Sequence, residues 1–220
     1  MNIAGSPVSQ ARLTAHGLDS VPAVCLDDTC VPGGDLGAIA DLLGLDYTAP
    51  EVLSPLALYE RILHILDAAC RYITQVPFDG LSYKSPDRDR SFRELGRHIV
   101  LIGRAFVRAY DDDKFSNTWF REENVPASLT GDDLAAEMRE TQAALTAWWQ
   151  TSGHEDPMDR VIESYWGNHT LHEVLEREVW HTAQHTRQVM MFLTQLDIAP
   201  DRPLTAEDLA GLPLPERVWD

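Results

Sequence analysis

The sequence predicts a mainly α-helical protein, a four-helix bundle preceded by a small N-terminal β-hairpin and helix segment. Three observations support this: four long segments carry apolar residues at helical spacing, capping residues precede them, and breaks rich in Pro, Gly and Asp separate them. The chain has 220 residues, close to the size of one main domain. Two connections are long, which favours a bundle that is not a simple series of hairpins.

The N-terminal segment has a different pattern from the rest. Residues 20–26 are strand-like, Asp27-Asp28 is a turn signal, and residues 29–31 are expected to return as a second strand. Gly33-Gly34-Asp35 then opens a short apolar helix that runs to Leu43. We therefore expect a hairpin followed by a helix.

The Ala-Pro and Ser-Pro steps around residues 46–54 break the pattern and are expected to form a linker. The expected divisions are residues 1–48, a four-helix region over 49–198, and an extended tail over 199–220 that lies across the bundle. The four helices are predicted to begin at Ser54-Pro55, at the capping box Ser91-Phe92-Arg93-Glu94, at Thr130-Gly131, and at the capping box Thr170-Leu171-His172-Glu173.

Charge and hydropathy exclude several functional classes. Eighteen basic and thirty-five acidic residues give a formal net charge of -17, so nucleic acid and anionic membranes are repelled by the average field of the protein. No stretch resembles a membrane helix, and the first residues do not resemble a signal peptide. We expect a soluble, cytoplasmic protein without nucleic-acid or membrane partners.

The three cysteines, Cys25, Cys30 and Cys70, are an odd number and lack the Cys-x-x-Cys spacing. This pattern indicates neither a disulfide framework nor a zinc knuckle. We expect all three to be buried thiols.

Helical phase separates three histidines from the other five. His181 and His185 are four residues apart on the inward stripe of the fourth helix, which stacks their rings one turn apart. On the second helix His98 is three residues after Leu95 and four before Ile102, so it can also face the interior. Three such imidazoles can bind one ion, and a metal satisfies polar groups that are otherwise costly to bury.

Glu178 is one turn before His181 on the same face of the fourth helix. We name it the candidate catalytic residue, as a general base on metal-bound water. A fourth metal ligand, a group that orients a histidine, and an ordinary surface carboxylate remain open alternatives.

The histidine in Arg93-Glu94-Leu95-Gly96-Arg97-His98 and the motif His181-Thr182-Ala183-Gln184-His185-Thr186-Arg187-Gln188 resemble the DinB-like superfamily over residues 54–197. This superfamily includes YfiT-like metal hydrolases and mycothiol-dependent maleylpyruvate isomerases. The resemblance implies a four-helix bundle of unusual connection order with a divalent metal on His98, His181 and His185. It also implies metal-activated attack by a low-molecular-weight thiol.

Residues 20–35 resemble the second half of a glutaredoxin, so residues 1–48 are interpreted as a partial glutaredoxin-like segment. The resemblance implies a glutathione site in which Val21 and Pro22 offer backbone to the cysteinyl part, and Gly34 and Asp35 receive the γ-glutamyl end. Free amides at a helix start bind a carboxylate, and Asp can take an ammonium. The redox cysteine pair of glutaredoxins is missing, so we do not expect disulfide exchange. A purely structural segment is the alternative.

These features favour a thiol-dependent transferase or isomerase that acts on a small electrophile, with glutathione as cosubstrate. Zinc is the favoured metal, and nickel, iron and manganese also suit three imidazoles. A hydrolase that uses metal-bound water and a non-catalytic metal-binding stress protein are the alternatives. A homodimer is compatible with each of them.

Overall fold

The structure is a computed structural model that describes residues 11, 13–18, 23–33, 35–48, 52–84, 89–120 and 124–218. The chain divides into two compact units, residues 1–51 and residues 52–220. No helix in the described ranges is long and apolar enough to cross a membrane.

The first unit contains the predicted hairpin and helix. Strands β1 (Ala23–Leu26) and β2 (Thr29–Pro32) pair antiparallel, and Asp27 in the turn between them adopts a left-handed conformation with φ of 51°. Helix α1 (Leu36–Leu43) begins at Asp35, whose side chain accepts a hydrogen bond from the Ala38 amide. The short β-segment of the fold prediction is therefore confirmed.

The prediction that all three cysteines are buried thiols is wrong for two of them. Cys25 and Cys30 are directly opposite each other in the β1–β2 register and form a disulfide. With a two-residue turn, the second pair of opposite residues is five positions apart. This spacing differs from that of Cys-x-x-Cys. Cys70 is a buried free thiol, as predicted, and burial raises its pKa to about 11.

The second unit is built around four long helices, and the predicted bundle is confirmed. Each helix begins where its capping residues predicted, with full capping boxes at Ser91–Glu94, Thr130–Asp133 and Thr170–Glu173. The helices are α2 (Pro55–Gln75), α3 (Phe92–Asp112), α4 (Gly131–Trp148) and α5 (Leu171–Gln195).

Helix α2 packs against α4 and α5, and α3 packs against the same two helices. Consecutive helices α2 and α3 are thus diagonal to each other, as the long connections predicted. The shared core contains large side chains from all four helices, among them Ile62, Phe106, Met138 and Phe192, each fully buried.

A small sheet lies in regions that the sequence predicted as loops. Strand β3 (Lys114–Phe115) pairs parallel with β4 (Val161–Ser164), which pairs antiparallel with β5 (Gly167–Thr170). A two-residue strand has no detectable period, and its partner is about fifty positions away, so local patterning cannot reveal it. The sheet leads directly into α5, because Thr170 ends β5 and caps the helix.

The C-terminal region after α5 is anchored on the bundle. The Tyr72 hydroxyl of α2 donates to the Arg202 carbonyl at 3.1 Å and accepts from the Leu204 amide at 2.8 Å, and Leu204 is buried. Turns occupy residues 206–211 of this region.

Gly103 is the point of close approach between α3 and α4, since a Cβ there would be 2.5 Å from the Thr141 Cγ2 methyl. We expect Gly103→Ala to lower the free energy of unfolding by about 1–2 kcal/mol, because overpacking outweighs the gain in helix propensity. Thr141→Ser removes the methyl and keeps the hydroxyl bond to the Glu137 carbonyl. Urea unfolding should therefore show the double variant to be more stable than Gly103→Ala alone, and an additive loss would contradict the close contact.

The disulfide between Cys25 and Cys30 predicts the number of reactive thiols. Alkylation in denaturant followed by mass spectrometry should label one cysteine, Cys70, before reduction and three after reduction. Cys70→Ser provides the control, since it should remove the single label. Three labels before reduction in aerobically purified protein would show that the cross-strand bond does not form.

Candidate metal centre

The three histidines selected by helical phase come together where α3 lies against α5. His98 is on α3, and His181 and His185 are on consecutive turns of α5. One ligand atom from each ring lies within 4.8 Å of the corresponding atoms of the other two. The ring centroids are 4.8 to 5.3 Å apart. No carboxylate or thiol of the described residues belongs to this group.

Burial keeps the imidazoles of His98 and His185 neutral. Desolvation lowers the pKa of His98 from 6.5 to about 3, and the positive charge of Arg90 adds to the effect. The pKa of His185 is also well below its usual range, first because of burial and then because His181 and His98 are close. At neutral pH both rings therefore hold an unprotonated nitrogen that can bind a metal.

Hydrogen bonds at Nδ1 fix which nitrogen of two rings carries the proton. His98 Nδ1 is 3.1 Å from the Phe120 carbonyl, and His185 Nδ1 is 2.7 Å from Gln188 Oε1. Both partners are acceptors, so each Nδ1 carries a hydrogen and donates it. Each Nε2 is left with its lone pair, the arrangement found in histidines that ligate metals through Nε2.

Two buried atoms beside the third ring lack partners among the described residues. Glu178 is fully buried, and its Oε1 forms an ion pair with Arg177. Its Oε2 has no hydrogen bond, nor has His181 Nδ1, and the two atoms are 3.9 Å apart. A ring held by a metal at Nε2 would present Nδ1–H to this carboxylate, so the unsatisfied pair fits a metal site.

Glu178 lines neither of the pockets beside the histidines. Its carboxylate lies behind His181, in contact with Arg177, instead of facing the space in front of the rings. The geometry therefore supports a role for Glu178 in orienting His181 better than a role as the base that removes a proton from water.

Two pockets share His98 and His181, with volumes of about 430 and 520 Å³. Leu95, Gln188 and Phe192 line the first, and Phe120, Tyr165 and Arg177 line the second. Arg90 borders both. The volumes suit a small molecule. His98 and His181 line both spaces, and His185 lines the first.

Arg177 is the main residue of the site that the sequence analysis missed. Its guanidinium lies 4.3 Å from the Trp166 ring centroid and also contacts the Tyr165 hydroxyl. Its position next to Glu178 at the start of the inward stripe was the available signal. The aromatic side chains that surround it come from the small sheet and from the connections next to it. The sequence predicted these regions only as loops.

The predicted glutathione site can be described only in part. Val21, Pro22 and Gly34 lie outside the described residues. Asp35 is exposed at the start of α1, and its Oδ1 accepts from the Ala38 amide at 2.9 Å.

The family comparison agrees with the bundle and the position of the histidines. A family model of the DinB superfamily matches residues 58–189, which extend from α2 to the last turns of α5 and contain His98, His181 and His185. Comparison with curated proteins gives no match. Because the family model covers more than half of the chain, the chain belongs to the DinB superfamily.

Proposed function

We propose that the chain is a metal-dependent enzyme that transfers a low-molecular-weight thiol, with glutathione favoured, to a small electrophile or uses it for isomerisation. The observation that carries the proposal is the convergence of three partly buried imidazoles beside two pockets of small-molecule size. Three protein ligands with an open side are typical of a catalytic metal site, whereas a structural site is closed by a fourth ligand.

His98, His181 and His185 would hold the divalent ion through nitrogens that are free of protons. The carbonyl of Phe120 and the Gln188 amide orient two of the rings, and Glu178 is placed to orient the third. A bound divalent ion lowers the pKa of a coordinated thiol. Zinc is favoured, with nickel, iron and manganese as the alternatives that suit the same donors.

The charges around the pockets support a thiolate or another anionic group near the histidines. Three arginines, Arg90, Arg97 and Arg177, line the second pocket beside two carboxylates, Asp89 and Glu94. The positive charges of Arg90 and Arg177 lower the pKa of His98. A thiolate formed there is stabilised by the same charges. The aromatic side chains of Phe120 and Tyr165 offer an apolar wall to the electrophile.

The hydrolase alternative would use a base for water, and the candidate named from the sequence, Glu178, does not line the pockets. Glu178 is buried behind His181 and paired with Arg177. A metal-binding protein without catalysis is the remaining alternative. Metal binding together with thiol binding distinguishes the proposed enzyme from both.

Removal of the histidines tests the metal. Purified protein reconstituted with Zn²⁺ and dialysed should hold about one ion per chain by elemental analysis, as expected for three converging ligands. His181→Ala and His185→Ala should each lower the affinity more than the roughly 10- to 100-fold loss typical of outer partners. His64→Ala is the matched control, because His64 is half-exposed and pairs with Asp208. A wild-type chain that stays metal-free, or equal losses in the control, would refute the metal site.

Substitution of Asp35 tests the thiol. Calorimetric titration of the zinc-loaded protein with glutathione should show binding that Asp35→Ala weakens about ten-fold, as for the loss of a charged hydrogen bond. Asp35→Asn separates two effects, because Asn can still cap α1 but carries no charge for the γ-glutamyl ammonium. Equal losses in both variants support the ammonium contact. No heat with the wild-type protein would favour the hydrolase or the binding protein.

A further inference from the structure

The last described residues, 215–218, lie along α5 beside the histidines and are held by side chains of that helix. Arg187 donates to the Pro215 carbonyl at 2.9 Å and to the Glu216 carbonyl at 3.1 Å. Gln184 Nε2 donates to the Val218 carbonyl at 2.6 Å. This C-terminal segment is therefore fixed by its backbone carbonyls, independently of its side chains.

Gln188 connects the segment to the metal centre. Its Nε2 is 3.2 Å from the Val218 carbonyl, and its Oε1 is 2.7 Å from His185 Nδ1. A carbonyl can only accept, so the amide NH₂ must face Val218 and the amide oxygen must face His185. The amide oxygen in turn has no proton, so His185 Nδ1 carries the hydrogen.

We propose that the C-terminal segment positions the metal centre by fixing the orientation of the Gln188 amide and, through it, the tautomer of His185. The proposal rests on the metal site proposed above. It makes Gln188 a positioning residue and Val218 the group that determines which end of its amide meets the ring. The Nε2 lone pair of His185 then remains directed away from Gln188 and available to the metal.

Loss of the Val218 carbonyl removes the acceptor that holds the Gln188 NH₂ in this orientation. The amide can then turn and present its NH₂ to His185 Nδ1, which favours the tautomer with hydrogen on Nε2. A protonated Nε2 cannot bind a metal, so ligation requires the tautomer and the amide to change first. Gln188 is largely buried, at 7% exposure, so solvent competes poorly for either end of its amide.

A second set of bonds keeps the segment in place. Arg187 Nη1, which holds Pro215, also donates to Gln184 Oε1 at 2.9 Å. That bond directs the Gln184 NH₂ at Val218 in the same way as the Gln188 NH₂. The Val218 carbonyl thus accepts one hydrogen bond from the Gln184 amide and one from the Gln188 amide. Of these two side chains, Gln188 is the one that also bonds a histidine, His185.

The test compares the full chain with a chain that ends at Pro215, in the wild-type, Gln188→Glu and Gln188→Leu backgrounds. Zn²⁺ affinity is measured by competition with a chromophoric chelator. Truncation of the wild type should weaken binding about 10- to 100-fold, as expected for loss of an outer partner. Glu accepts through either oxygen without Val218, so truncation in Gln188→Glu should change the affinity less than about two-fold. Leu cannot accept, so Gln188→Leu should bind weakly at both lengths.

The tautomer of His185 provides a readout that does not require the metal. In metal-free protein, ¹⁵N-detected imidazole spectra should show the neutral His185 ring with its hydrogen on Nδ1 in the full chain. After truncation they should show a mixture of the Nδ1–H and Nε2–H tautomers. A full chain that fails to bind Zn²⁺ would refute the metal site. The spectra would still test whether the C-terminal segment determines the tautomer of His185. If the chain that ends at Pro215 does not fold, a chain that ends at Arg217 takes its place in the same comparison, because it lacks Val218 but keeps the Arg187 bonds to Pro215 and Glu216.

Two results would overturn the inference. Truncation that weakens Zn²⁺ binding equally in the wild-type and Gln188→Glu backgrounds would mean that the segment acts through packing alone. An unchanged His185 tautomer after truncation, or in Gln188→Leu, would mean that Gln188 does not determine it.

Discussion

Helix α3 lies antiparallel to α5, and this contact places His98 opposite the His181–His185 pair. Phe92 near the start of α3 packs edge-to-face on Phe192 near the end of α5, with ring centroids 4.7 Å apart. Six residues further along α3, His98 meets the two rings of the other helix. A rotation of either helix by one residue, about 100°, would move its histidines out of the group. The apolar packing of this pair is thus the condition for the site.

Burying polar groups in that packing is costly, and the surrounding chain contributes an acceptor or a counter-charge for most of them. His98 finds the Phe120 carbonyl in the loop after β3, and His185 finds Gln188 one turn later. Glu178 is neutralised by Arg177, whose guanidinium stacks on Trp166. Among the described polar atoms around the three rings, Glu178 Oε2 and His181 Nδ1 have no hydrogen bond. A metal on His181 Nε2 would place a hydrogen on Nδ1, which could then be donated to Glu178.

The features that repeat along one helix could be predicted from sequence. The spacing of His181 and His185, and the position of His98 between Leu95 and Ile102, determine which way the rings point once the helices exist. The capping boxes determined where α3 and α5 begin, and hence their phase. Such features depend on neighbours three or four residues apart, so a single chain contains all the information.

The features that were missed depend on pairs far apart in the chain. Phe120 meets His98 from a connection predicted as a loop, and Val218 meets Gln188 across thirty positions. The Cys25–Cys30 bond is an exception, because the predicted turn at Asp27-Asp28 already places these two residues opposite each other in the hairpin. The scaffold, the ligand set and the neighbouring Glu178 were therefore accessible from sequence, whereas the contacts of Phe120 and Val218 were not.

The charge of the site also bears on the proposed chemistry. The protein as a whole is strongly acidic, with a net charge of -17, whereas the second pocket in front of His98 is lined by residues of both signs. These residues are Asp89, Glu94, Arg90, Arg97 and Arg177. A divalent ion held by three neutral histidines would keep its full positive charge. An anionic fourth ligand relieves that charge better than neutral water does. A thiolate from a small thiol would meet this requirement and so would a hydroxide, which is why thiol binding in addition to metal binding is the property that distinguishes the proposed enzyme.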